Sequence, residues 1–187
     1  QPMTPRGWNY AEEFNLPRIF VVNRVDRDHA APAIVLEALR STFGRQVTPV
    51  SLPIGTGGAF RGVIDLVSMQ AFEYRPDSKG RGQAIPIPED MAEQAKSAHE
   101  ELVELVAEGK DELLEEFFNQ GTLPEEHLIA ALHEAIHEDR IFPVLFASGI
   151  NNIGTDRLLD FFRVYAPAPS EREPVAAIAK LSTANGH

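Results

Sequence analysis

There is no cysteine anywhere in the 187 residues. Disulfides, thiolate catalysis and cysteine-ligated zinc are therefore excluded, and a reducing cytoplasm suits the composition. No apolar run approaches the roughly 20 residues that span a bilayer, and the first residues lack the pattern of a signal peptide. Neither a G-x-x-x-x-G-K-[ST] phosphate loop nor a D-x-P-G magnesium loop is present. Basic residues are scarce over one long stretch. Residues 89–139 hold sixteen acidic side chains against Lys96 and Lys110, a net of −14, which leaves the rest of the chain at +3 of the overall −11. Such a stretch repels a phosphate backbone and suits solvent or a basic protein surface. The 43% hydrophobic content supports a folded core for one domain or two small ones.

What is present is organised around residues 17–27, PRIFVVNRVDR. Ile19, Phe20, Val21 and Val22 have the composition of a strand buried on both faces of a parallel sheet. Charge begins where that run stops, at Asn23-Arg24-Val25-Asp26. Open α/β sheets hold their ligands at the carboxyl ends of strands. An Asn-basic-x-Asp tetrad placed there has the chemistry to read guanine. The Asp26 carboxylate accepts from the ring N–H and the exocyclic amine, the Asn23 amide reaches the carbonyl edge and braces neighbouring loops, and the Arg24 stem lies on the base plane. The same string also occurs in surface turns, so the rest of the chain decides its meaning.

Upstream, Thr4 and Pro5 read as the start of a short helix carrying Trp8, Ala11 and Phe14 and ending at Asn15-Leu16-Pro17. Gln1 stands on the threshold of that helix, so the chain is expected to begin within a larger protein. Downstream, Asp28 is a candidate cap for a helix bearing Ile34, Val35, Leu36, Leu39 and Phe43, closed by Gly44. Residues 47–73 change to strand-like runs, VTPVSLPI, GVIDLV and AFEY, around Gly55-Thr56-Gly57-Gly58. Those glycines lead to another strand without a following Lys-Ser/Thr, so they read as a hairpin-like connection. Asp77-Ser78-Lys79-Gly80 reads as a turn.

Three acidic helices follow. The first carries Met91, Ala95, Ala98, Leu102 and Val106, and the second the pairs Leu113/Leu114 and Phe117/Phe118. The third opens on a Thr122/Glu125 capping box and buries Leu128, Leu132 and Ile136. Residues 141–147, IFPVLFA, form a second doubly buried strand. It runs through Ser148-Gly149-Ile150 and Gly154 into a helix with Leu158, Leu159, Phe161 and Phe162. The strand–loop–helix order thus resumes after an excursion, as around an inserted subdomain. The resulting division is 1–46 and 141–166 for the α/β domain, 47–140 for an α+β insert, and 167–187 for a linker and tail. Within that tail, 175–181 reads as the opening strand of a next domain and 182–187 as a cloning remnant.

One motif points elsewhere. His133-Glu134-Ala135-Ile136-His137 spells H-E-x-x-H, two imidazoles one helical turn apart with a general base between them. Both histidines fall off the Leu128/Leu132/Ile136 stripe and no third ligand is close in sequence, which counts against a zinc hydrolase. His99 and His127 read as unpaired and solvent-facing.

LPRIFVVNRVDR, PVSLPIGTGGAFRGVIDLVSMQAFEY and PVLFASGINNIGTDRLLDFF, three stretches in the same order, resemble the elongation factor G family of translational GTPases from Trp8 to about Pro169. A release factor or ribosomal protection type of translational GTPase is the near alternative, and a non-catalytic acidic interaction module the more distant one. The resemblance implies a parallel-sheet, P-loop NTPase-like GTPase domain lacking its N-terminal half and interrupted by an α+β subdomain. It implies GTP or GDP as ligand, with Asn23 and Asp26 as guanine readers and Arg24 stacked on the base where the family usually has lysine. It also implies a last guanine loop at Ser148, Gly149 and Ile150, with Asn152 nearby, where the family has Ser-Ala. The parent would drive ribosomal translocation, with the ribosome and its stalk protein as partners of the acidic insert. No membrane and no sequence-specific nucleic acid is expected. The phosphate cradle and Mg2+ ligands would lie upstream of Gln1, so the chain alone is expected to hydrolyse no GTP, and an uncovered sheet edge to favour self-association.

Overall fold

A computed structural model describes residues 3–171, which form two sheets and six α-helices. At the centre of the three-stranded parallel sheet is β7, Phe142–Phe146, five successive buried residues as the apolar run predicts. β1, Phe20–Val22, and β2, Val47–Pro49, flank it, with Phe20 opposite Val144 and Val47 opposite Phe142. β1 departs from expectation. It pairs on one side only among the described residues, and Val21 is 40% exposed. An apolar run reports a strand fit for burial, not whether both neighbours are there to bury it.

The run VTPVSLPI divides between the sheets. β2 stays beside β7, the Val50 N–H donates to the Val144 carbonyl at 3.0 Å, and β3, Ser51–Ile54, then starts an antiparallel sheet. That sheet continues with β4, Gly62–Asp65, β5, Gln70–Glu73, and β6, Gln83–Ile85, in sequence order. The glycines form the expected hairpin connection between β3 and β4. Gly55 sits at φ +76°, where a Cβ would lie 2.1 Å from the Ala59 carbonyl oxygen, so no other residue fits without rebuilding the turn. The segment at 77–80 is a turn, with Lys79 and Gly80 both at positive φ.

The helices are α1 Met3–Glu13, α2 Pro32–Phe43, α3 Ala92–Ala107, α4 Asp111–Gln120, α5 Glu125–His137 and α6 Thr155–Tyr165. None of the three side-chain caps read from the sequence forms. Thr4 lies inside α1, α2 begins after Ala31 with Pro32 in its first turn, and α5 begins after Pro124. Pro32 suits the first turn of α2, where its φ is preset and its missing N–H costs nothing, and Pro124 immediately precedes α5, so prolines mark both starts in place of Asp28 and Thr122. The C-terminal stop at Gly44 stands as read, its N–H donating to the Arg40 carbonyl.

Ala95, Leu102, Val106, Leu128, Leu132 and Ile136 are all buried, as their spacing predicts. Where apolar residues are adjacent the structure keeps one of them: Phe118 is 74% exposed beside a packed Phe117, and Leu159 is 67% exposed beside a packed Leu158. Ile34 likewise faces outward while Leu36, Leu39 and Phe43 pack. Neighbours in a helix are about 100° apart and cannot share a face.

One apolar cluster links both sheets to the acidic helices and α6. It joins Leu102, Leu132 and Ile136 of the acidic helices to Leu145 of β7 and Phe161 of α6. A second gathers Val25, Phe60, Val63 and Phe142 with Trp8, Phe20 and Phe43. At its border the Arg18 guanidinium lies 4.2 Å from the Trp8 ring and 4.7 Å from the Phe142 ring, and 3.5 Å from the Asp139 carboxylate. Arg40 of α2 reaches Glu101 of acidic α3 at 2.8 Å, and just past the ends of the two helices Arg45 grips both Glu108 oxygens. His99 and His127 are not unpaired. His99 Nδ1 is 2.6 Å from the Leu66 carbonyl oxygen and His127 Nδ1 2.8 Å from the Glu116 carboxylate. Among the described residues no helix is long and apolar enough to cross a membrane. The strand and cloning remnant expected at 175–181 and 182–187, and most of the linker, lie outside the described residues.

Candidate functional site

Parallel pairing of β1 with β7 sets two loops side by side at the carboxyl ends of the strands, 23–29 and 148–154. The backbone knits them: the Ala147 N–H donates to the Val22 carbonyl at 3.0 Å and the Val25 N–H to the Ala147 carbonyl at 3.3 Å. Val25, 1% exposed, anchors the first loop in the core. The Asn23 Oδ1 accepts from the Arg24 N–H at 2.8 Å and from the Gly149 N–H at 3.0 Å, so this side chain is the brace between the loops. Arg24 takes φ +65° and the Arg27 N–H donates to its carbonyl, closing a tight turn that leaves the Arg24 side chain exposed.

Asp26 is half-buried, and its Oδ1 is shielded from solvent without a hydrogen-bond partner. Buried polar atoms are nearly always paired, so this oxygen is among the few described polar atoms whose acceptor capacity goes unused within the chain. Ser148 behaves differently. It is completely buried, exchanges two backbone hydrogen bonds with Ile153, and its hydroxyl oxygen accepts the Asn151 N–H at 3.2 Å. Its role is to shape the loop from below. Ile150 projects from the rim at 84% exposure, while Asn152 at φ +53° accepts the Thr155 hydroxyl. Asn23 and Gly149 are thus in contact, Arg24 and Ile150 stand at the rim, and Asp26 lies just beyond the shared anchor Val25. Alongside, Asn23, Arg24, Arg27, His29 and Val35 help line a hollow of about 260 Å³, of which Asp26 is not a wall.

Gly149 has ordinary backbone geometry, and a Cβ there would sit 3.7 Å from the Asn23 Oδ1, a normal contact. Gly149→Ala, which restores the Ser-Ala of the resembled family, is therefore expected to fold normally. It should gain about 0.4–1 kcal/mol by restricting the unfolded chain, read as a higher urea midpoint.

Sequence reasoning missed two contributors. The glycine-rich hairpin loop supports the tetrad: the Gly57 N–H donates to the Val25 carbonyl at 2.8 Å. At the start of α6, Asp156 takes the Tyr74 hydroxyl and the Gly82 N–H. Neither has a local signature, because each partner is distant in sequence.

The H-E-x-x-H residues have other engagements. The Glu134 carboxylate is 2.6 Å from Lys110 Nζ, and that contact, with its charge, holds its carboxyl below the ordinary range. His133 Nε2 is 3.0 Å from the Glu171 carboxylate and His137 Nε2 is 3.3 Å from the Glu171 carbonyl oxygen. Among the described residues no three His, Asp or Glu side chains converge to hold a metal ion.

A parallel sheet with paired loops at its strand ends, joined to an antiparallel sheet and helices, is a mixed α/β fold matching a partial GTPase-like domain. A crystal structure of a protein from Thermus thermophilus superposes on 90% of the chain with a TM-score of 0.80 at 33% identity, the match covering 25% of that protein. The sequence is 34% identical over 177 residues, 94% of the chain, to elongation factor G of Amoebophilus asiaticus. The chain is thus a relative of elongation factor G, and it spans about a quarter of that protein's length. No family model matches it.

Proposed function

We propose that this chain carries the guanine-recognition part of an elongation factor G-like translational GTPase, binding GTP and GDP through residues 23–26 and 148–150. The observation that carries this reading is the shielded, partnerless Asp26 Oδ1 beside a loop pair braced through Asn23. In it, Asp26 accepts the guanine ring N–H and exocyclic amine, and the Arg24 stem covers the base. The backbone N–H of the Ser148-Gly149 pair is the donor proposed for the guanine carbonyl, exchanging its bond to Asn23 for one to the base.

The division into residues 1–46 and 141–166 for the GTPase part and 47–140 for the insert is part of the same reading, with β2 remaining hydrogen-bonded to the parallel sheet. The phosphates and Mg2+ are read as held by other segments of the complete protein, since neither a G-x-x-x-x-G-K-[ST] nor a D-x-P-G loop occurs in this sequence. The parent protein is read as a cytoplasmic factor that promotes ribosomal translocation. The acidic helices face a ribosomal partner such as the stalk protein, and the open edge of β1 supports self-association when nothing covers it.

Titrating the full-length protein with GDP and ADP tests the reading. GDP binding with ADP excluded is the expected outcome. Equal affinity for both bases, or none for either, would leave the acidic interaction module in its place. The chain alone is expected to release no phosphate from GTP above buffer controls.

A further inference from the structure

The antiparallel sheet touches both candidate guanine loops, at different points. Under the first loop is the Gly57–Val25 hydrogen bond. The second is gripped from the segment after β5. Tyr74, 7% exposed, donates its hydroxyl to Asp156 Oδ1, and the Gly82 N–H donates to Asp156 Oδ2 at 3.0 Å. Asp156 Oδ1 also accepts the Arg157 N–H at 2.8 Å, so both carboxylate oxygens are engaged at the first turn of α6. The adjoining Arg157 guanidinium lies 4.4 Å from the Phe72 ring of β5. Gly80 packs so closely on Asn152 that a Cβ would come within 1.8 Å of its amide nitrogen. Gly154, at φ +77°, links the loop to α6 and has no room for a Cβ against the Phe146 carbonyl.

The 148–154 loop thus follows closely on β7, is packed by Gly80 at Asn152, and leads into α6, which Tyr74 and Gly82 tie at Asp156. Burial and the Asp156 carboxylate push the Tyr74 phenol far up, so it remains a hydrogen-bond donor.

Resting on the guanine reading above, we propose that Asp156 and Tyr74 are positioning residues for guanine: they lock the insert against the last guanine loop, so that nucleotide affinity depends on where the insert sits. Neither side chain touches the base. The coupling is reciprocal, so a partner that shifts the insert also changes nucleotide affinity.

The test uses the full-length protein with Tyr74→Phe, Asp156→Asn and the double variant, a fluorescent GDP analogue as probe, and hydrogen exchange at Gly82. Each single change is expected to speed GDP release about three- to tenfold, the effect of losing one hydrogen bond of ordinary strength. The double variant should be no worse than Asp156→Asn alone, because Tyr74 acts through Asp156, which also takes the Gly82 N–H. GDP should also slow exchange of the Gly82 amide in the wild-type protein. Tyr74→Phe keeps the ring packed, so it reads the link even if Asp156→Asn folds poorly. Unchanged GDP release in a folded Tyr74→Phe variant, with wild-type binding intact, would overturn the proposal and leave the guanine reading standing. Absence of GDP binding by the wild-type protein would overturn both.

Discussion

Asp26→Asn in the full-length protein is expected to lower GDP affinity by two to four orders of magnitude and to create affinity for xanthosine diphosphate. Two hydrogen bonds to a charged acceptor contribute about 1.5–3 kcal/mol each, and their loss multiplies into that range. The change also replaces one acceptor by an amide donor. Guanine then presents a donor to a donor, while xanthine, which carries a carbonyl in place of the exocyclic amine, finds the complement. Folding should survive. The loop is held by the backbone bonds Val25–Ala147 and Gly57–Val25 and by the Asn23 brace, none of which uses the Asp26 side chain. Competition of both diphosphates against a fluorescent nucleotide reads the exchange of preference. A variant that keeps wild-type GDP affinity would remove Asp26 from the site.

Leu132→Ala is expected to cost about 2–5 kcal/mol, the range for a buried leucine truncated in a tightly packed core. Leu132 has no exposed surface and belongs to the cluster that runs from Leu102 and Ile136 to Leu145 and Phe161. The control is Leu159→Ala. That side chain is 67% exposed, so its loss should fall within about 0.5 kcal/mol of neutral. Urea melts followed by circular dichroism distinguish the two. Because the cluster spans α3, α5, α6 and β7, the described residues should unfold in one transition that Leu132→Ala shifts as a whole. A biphasic melt, or a Leu132→Ala effect below about 1 kcal/mol, would show that the two sheets do not share a core.

Much of this was legible in the chain itself. The five apolar residues of β7, the helical spacing of Leu128, Leu132 and Ile136, and the glycine stop at residue 44 each express a local rule, and each appears in the structure. Reading failed where a rule has two local answers. Consecutive pairs such as Phe117/Phe118 and Leu158/Leu159 offer two candidates for one inward position, and only the neighbouring helix selects between them. Asp28 and Thr122 were candidate caps, but prolines a few residues on mark the helix starts. The split of VTPVSLPI at Val50 depends on where β7 lies, which nothing in those eight residues records. At the site, the tetrad and the Ser-Gly loop were visible as motifs. The brace from Asn23 to Gly149 and the supports from Gly57, Tyr74 and Asp156 join positions far apart in the chain, and so needed the fold.

The most direct measurement is a crystal structure of the full-length protein with GDP. The expected result places the guanine ring N–H and exocyclic amine within hydrogen-bond distance of Asp26, under the Arg24 stem, with the 148–154 loop against its carbonyl edge. A base bound elsewhere, with Asp26 Oδ1 still partnerless, would contradict guanine recognition by this chain.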